Sequence, residues 1–211
     1  MVDNYKFSKK IDDTEVAVDS DKTQISDEIK FKLQSGHEMV RVDLSGKDFR
    51  AFNFERPLVF TECNFSGSDF TSANFQEKTV FVRCNFSNAI LSDAKLSYAN
   101  LCFANLSGIS LVGTDLSEAN LFGADLENAD LKGANLHNVT LRGAKLKGAD
   151  LYGTFLVGAI AEQAELTRED LKRAIEGFNN IYRDHPDHED LDPSVDYASH
   201  AFADANIVDE D

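Results

Sequence analysis

The chain of 211 residues contains no tryptophan, only three prolines and only three cysteines. Cys63, Cys84 and Cys102 are too few and too scattered to form the disulfide framework of a small secreted domain. No apolar run approaches the about 18 residues that span a bilayer. The opening stretch "MVDNYKFSKKIDDTEVAVDS" lacks the apolar segment of a secretory signal, so the expected setting is soluble and cytoplasmic. Basic residues are also scarce. Against 37 Asp and Glu stand 21 Lys and Arg, a net charge of -16, so neither naked nucleic acid nor an anionic membrane surface is an expected partner. The motifs of nucleophilic, phosphate-binding and dinucleotide-binding sites, G-x-S-x-G, the Walker loop and G-x-G-x-x-G after a strand, are missing as well, and the expectation is a protein without enzyme activity or cofactor.

What the sequence does contain is a period. In "ADLENADLKGANLHNVTLRGAKLKGADLYG", residues 124 to 153, leucine stands at every fifth position. Neither a helix, with period 3.6, nor a strand, with period 2, keeps such a set on one face. From Phe81 through Leu166 every fifth residue is Phe or Leu except Ala161. Two residues before most of these centres lies a small side chain, as at Ala89, Ala94, Ala99, Ala104 and Thr114. One before is often Asn or Asp, as at Asn100, Asn105, Asp115, Asn120 and Asp125.

The pattern resembles the pentapeptide-repeat family, A-(D/N)-L-x-x, which "ANLCF", "ANLSG", "ADLEN", "ADLKG", "ANLHN" and "ADLYG" match directly. The resemblance covers residues 42 to about 166 and implies an all-β solenoid, a right-handed quadrilateral parallel β-helix. Each pentapeptide would form one side of a square, and twenty residues one coil. The central Leu or Phe and the small residue two before it would both point inward, sharing a narrow interior. Asn and Asp would bond nearby backbone at the turns, and the glycines at 113, 123, 133, 143, 148 and 153 would take the corners. Twenty-five centres from Leu44 to Leu166 give about six coils, a rod roughly 30 Å long at strand spacing.

Two interruptions divide the early repeat. Leu44, Phe49 and Phe54 keep one register, Phe60 to Phe75 a second, and Phe81 onward a third, each change inserting one residue. The neighbourhoods "PLVFTECNFS" and "KTVFVRCNFS" begin 21 residues apart, at Pro57 and Lys78, so the extra residues are expected to stack on one corner as paired bulges that correct the register.

Both ends of a solenoid need caps. Residues 1–40 read as a polar N-terminal segment whose "EIKFKL" favours a capping strand, with a short helix from Asp27 to Gln34 as the alternative. Residues 41–166 hold the repeat. Residues 167–182 read as a C-terminal capping helix, opening at Thr167 and Asp170 and placing Leu171, Ala174, Ile175, Phe178 and Ile181 on one face. Residues 183–211 form an acidic tail.

Several residues qualify as sites. Cys63 and Cys84 fall at the small inward position of adjacent coils and read as core packing, whereas Cys102 faces out. His185, His188, Glu189 and Asp190 look superficially like metal ligands but sit in a charged tail, and no metal site is assigned. Val82, Cys102 and Phe122 should form one outward column with Phe103 beside them and Tyr98 near the preceding corner, a candidate interaction surface. Tyr152, Phe155, Val157 and Ile160 of the last coils, with Leu171, Ile175 and Phe178, form a candidate end-cap or dimer surface; family resemblance implies a homodimer through the C-terminal end as one possibility.

The functional expectation is a non-enzymatic scaffold that presents the flat faces of a rigid rod to a protein partner. The alternative comes from the resemblance, since the quinolone-resistance members of this family, bacterial proteins, imitate duplex DNA and bind DNA gyrase. Residues 41–166 carry fifteen acidic and eleven basic groups, too near neutrality for a duplex mimic, while much of the negative charge lies in the tail.

Overall fold

In the computed structural model the described residues are 24–182, with side chains described through Gly177. The tail group His185, His188, Glu189 and Asp190 lies outside them, as does the side chain of Phe178. The element order is α1 (Asp27–Ser35), β1 (Met39–Val40), β2 (Val59–Thr61), β3 (Val80–Val82) and α2 (Arg168–Tyr182). The three strands form a parallel sheet in the order β1-β2-β3. Beyond them the chain continues as a ladder of single parallel bridges, such as Asn85 to Asn105 to Asp125, one every twenty residues.

The regular corners share one cause. The residue one past the centre keeps a negative φ and the next takes a positive one, the pattern of a type II turn, except at the two inserted corners after Phe54 and Phe75. The amide three past the centre donates to the centre's carbonyl, as Ala104 does to Leu101 at 3.1 Å. The Asn or Asp before the centre closes the corner from outside. Asn100 Oδ1 accepts from the Cys102 amide at 3.1 Å, and Asn120 Oδ1 from the Phe122 amide at 3.0 Å. Where the small inward position is polar, it bonds to the previous coil: Thr114 Oγ1 donates to the Leu91 carbonyl at 2.7 Å and Ser68 Oγ to that of Leu44 at 2.7 Å.

The centres fill the interior. In the N-terminal coils Phe rings stack from coil to coil, Phe49 on Phe70 at 4.5 Å and Phe60 on Phe81 at 5.1 Å, both within 2° of parallel. Leucines from Leu91 onward continue the same buried cluster. The one-residue insertions do stack. Val59 pairs with Val80 and Phe60 with Phe81, so both extra residues fall on the corner preceding β2 and β3. The wider corner lets this side run as three-residue strands where other sides manage a single bridge.

The N-terminal cap is the helix rather than the strand favoured by apolar alternation. Ser26 Oγ accepts from the Ile29 amide at 3.3 Å, Asp27 and Glu28 occupy the first turn, and Gly36 closes the helix at φ 70°. Ile29 and Leu33, four apart, bury one helical face in the core cluster, and Phe31 faces out. At the other end Thr167 and Asp170 bond reciprocally, amide to side chain, at 3.0 and 3.1 Å to start α2. Ala174 is buried and Leu171 packs on the core. Among the described residues no helix is long and apolar enough to cross a membrane.

Candidate interaction surface

One corner of the rod follows the centres Phe60, Phe81, Leu101, Leu121, Leu141 and Ala161. Its two outward residues per coil form two columns. The first runs Val40, Thr61, Val82, Cys102, Phe122, Arg142, Glu162, and the second Arg41, Glu62, Arg83, Phe103, Gly123, Gly143, Gln163. Backbone bonds join them in register. The Glu62 amide donates to Val82, Arg83 to Cys102, Phe103 to Phe122, and Gly123 to Arg142.

At the middle of this ridge the Phe103 ring stands edge-on to the Phe122 ring, centroids 5.2 Å apart and planes 89° apart. Phe103 is 52% and Phe122 38% exposed, flanked by half-buried Val82 and Cys102. Gly123 makes room for the pair: a Cβ there would lie 2.8 Å from the Phe103 ring. Phe103 itself takes φ 58°, at a corner position that glycine fills at ten other corners and Asn at three. A phenylalanine held in a left-handed turn, with its ring in solvent, is strained without being compensated by burial.

Charges bracket the aromatic pair. Arg41 meets Glu62 at 2.8 Å and Arg83 approaches Glu62 at 3.9 Å on one side, while Arg142 pairs with Glu162 at 3.3 Å on the other. The hydrogen bond from Arg41 holds the Glu62 carboxyl below its ordinary range. Column reading at intervals of 21 and then 20 would have found these residues; attention to apolar side chains alone passed over them.

The sequence-selected residues separate into two groups. Val82, Cys102, Phe103 and Phe122 come together on the ridge, and exposed Tyr98 sits on the corner at the other edge of the same side. The C-terminal set is spread around the last coil: Tyr152, Phe155 and Val157 are half-buried on successive corners and sides, Phe155 lies against the His137 ring at 5.7 Å, and Ile160 is 50% exposed. Leu171 and Ile175 are half-buried on α2. Cys63 and Cys84 are free, buried thiols, and Cys63 Sγ donates to the Met39 carbonyl at 3.3 Å. The adjacent Cys63 sulfur, together with burial, pushes the Cys84 thiol up. Among the described residues no group of His, Cys, Asp and Glu is arranged to hold a metal ion.

Two family profiles described as "Pentapeptide repeats" match the chain, one with nine copies over residues 44–101 and one with eight over 103–138 and 141–175. The chain belongs to the pentapeptide-repeat family. Solved pentapeptide-repeat proteins resemble it. Rfr23 from the cyanobacterium Cyanothece 51142 is 27% identical, the match covering 62% of this chain and 95% of that one with a TM-score of 0.34. For alr5209 from Nostoc Pcc 7120 the identity is 38%, the coverage 48% and 71%, and the TM-score 0.32. Full-length QnrB1, a plasmid-mediated fluoroquinolone resistance protein, is 15% identical with coverage of 74% and 94% and a TM-score of 0.27. Comparison with curated proteins finds no match. In this pentapeptide-repeat solenoid the interior of the described residues is filled by their own centres.

Proposed function

We propose that this pentapeptide-repeat protein is a non-enzymatic scaffold that binds protein through the ridge centred on Phe103 and Phe122. The observation that carries this reading is the exposed, edge-to-face ring pair on a positive-φ corner, apolar surface set between charged neighbours. Aromatic anchors in such a setting supply binding energy at low entropic cost. The test is affinity capture from the native host with the full chain and with Phe103→Asp. A specific partner lost with the variant, while circular dichroism and melting stay unchanged, supports the ridge; a partner retained equally by both removes it.

Acidic side chains on the rod weigh against the DNA-mimic alternative. Asp48 pairs with Arg50 at 2.6 Å, Asp150 with Lys132 at 3.0 Å and Asp125 with Lys145 at 3.5 Å, so part of the rod's negative charge is neutralised locally rather than displayed at phosphate spacing. A gyrase supercoiling assay separates the two readings: salt-sensitive inhibition competed by DNA would favour the mimic.

A further inference from the structure

Read one residue per coil, the ridge runs Arg41, Glu62, Arg83, Phe103, Phe122, Arg142, Glu162: positive, negative, positive, two rings, positive, negative. Turned end for end about the Phe103 coil, the series complements itself. Arg41 comes level with Glu162 in the adjoining column, Glu62 with Arg142 and Arg83 with the Phe122 ring, and Phe103 comes opposite itself. We infer that the ridge docks on the same ridge of a second copy, the two rods antiparallel, with a two-fold axis crossing at the coil of Cys102 and Phe103. The inference rests on the reading of this ridge as the binding surface and names its partner.

Charge selects this register over its neighbours. Parallel rods would set Arg41 on Arg41 and Glu62 on Glu62. Moving the axis half a coil toward the C-terminus sets Arg83 on Arg142 and Glu62 on Glu162; half a coil the other way sets Arg41 on Arg142. A full coil toward the N-terminus places Arg83 on Arg83, and a full coil toward the C-terminus carries Arg41 and Glu62 past the end of the partner's repeat. Like charges face each other in most of these, and opposed charges with full overlap occur in the one proposed.

Shape agrees with charge. A two-fold axis lying in the contact plane across the rods keeps each column opposite itself. In the second column the N-terminal half is bulky, Arg41, Glu62 and Arg83, and the C-terminal half has no side chain at Gly123, which the Phe103 ring covers, or at Gly143, which is open. Glu62 therefore descends on open Gly143 beside Arg142, and Arg83 comes level with Phe122, where a guanidinium can lie over the ring. The pairs Arg41–Glu62 and Arg142–Glu162 then merge into alternating four-charge clusters at each end of the contact.

Cys102 lies on the axis, and the other two thiols are buried. A short bis-maleimide should therefore link two full-length chains through Cys102, and Cys102→Ala should abolish the link. In the Cys102→Ala background, Glu62→Cys mixed with Arg142→Cys should cross-link between chains, whereas each alone should not. Sedimentation should show a dimer that dissociates at least tenfold more readily with Glu62→Arg, and more readily in about 1 M salt than in about 0.1 M. A monomer at about 100 μM, or a link between two copies of the Glu62→Cys chain, would overturn the inference. Loss of a captured host partner on Phe103→Asp in a protein that sediments as a monomer would sink the pairing and leave the scaffold reading; an intact ridge dimer whose captured partners ignore Phe103→Asp would do the reverse.

Discussion

Gly177 of α2 lies directly on the backbone of Gly153 in the last coil, so close that a Cβ at position 177 would come within 2.6 Å of the Gly153 Cα and 2.7 Å of the Tyr152 carbonyl carbon. Two glycines that face each other let a helix cross the end of the solenoid in backbone contact, with Ala174 buried beside them and Arg173 reaching Asp150 at 3.8 Å. The end of the rod is closed by this contact.

Gly177→Ala should therefore destabilise the protein, by about 2 kcal/mol, since backbone on both sides has no room to yield. In an isolated helix the same change would stabilise by about 1 kcal/mol. Thermal melting decides: a raised melting temperature would mean that α2 does not dock as described. Gly133→Ala is the control, because a Cβ there meets nothing within 4 Å and its cost comes from φ 63° alone.

Phe103→Asn should leave stability unchanged or raise it by up to about 1 kcal/mol, because Asn tolerates the left-handed turn. The same variant should lose binding through the ridge. A fall in stability greater than about 2 kcal/mol in urea unfolding would show that the ring serves packing rather than recognition.

Thiol titration of the folded protein should find Cys102 reacting alone, sluggishly because burial pushes its thiol up, and all three cysteines only after unfolding. Rapid modification of Cys63 or Cys84 in native buffer would contradict their burial.

Acid should loosen the rod in a defined window. Hydrogen bonds from the Arg50 side chain and amide lower the Asp48 carboxyl from 3.8 to about 2. Burial alone would raise Asp150, but Lys132 and the Tyr152 amide outweigh it and the carboxyl is lowered too. A carboxylate depressed in the folded state stabilises fully above its unfolded value and loses that contribution as pH falls through the folded one. Stability should thus be flat from pH 7 to about 5 and decline between about 4 and 2, with a shallower decline in Asp48→Asn. An Asp48→Asn chain whose melting temperature falls between pH 4 and 2 as steeply as that of the parent protein would remove this account.

The solenoid was legible because its cause is local and repeated. Burial demands an inward residue at every fifth position, and Leu or Phe there, with Ala, Cys, Ser or Thr two before, states that demand again in each coil. The paired insertions were legible for the same reason, since "PLVFTECNFS" and "KTVFVRCNFS" recur 21 apart. The N-terminal cap was less so. Ile29, Phe31 and Leu33 alternate like a strand, and only the end of the rod, which needs Ile29 and Leu33 on one side and leaves Phe31 out, makes the helix the better burial. Of the ridge, the apolar members could be found by counting, but not the opposition of Phe103 and Gly123 or the charges on either side.

By itself, then, the sequence determined the period, the inward set, the number of coils and the position of both breaks in register, because each follows from which side chains one short stretch must hide from water. Tertiary structure decided which outward residues become neighbours: Arg41 with Glu62, Arg142 with Glu162, Phe103 with Phe122 and Gly123. Those contacts join residues about a full coil apart, and their partners are set by how far the backbone travels around the square before it returns, a distance that one-residue insertions and type II corners fix only once the coils are stacked.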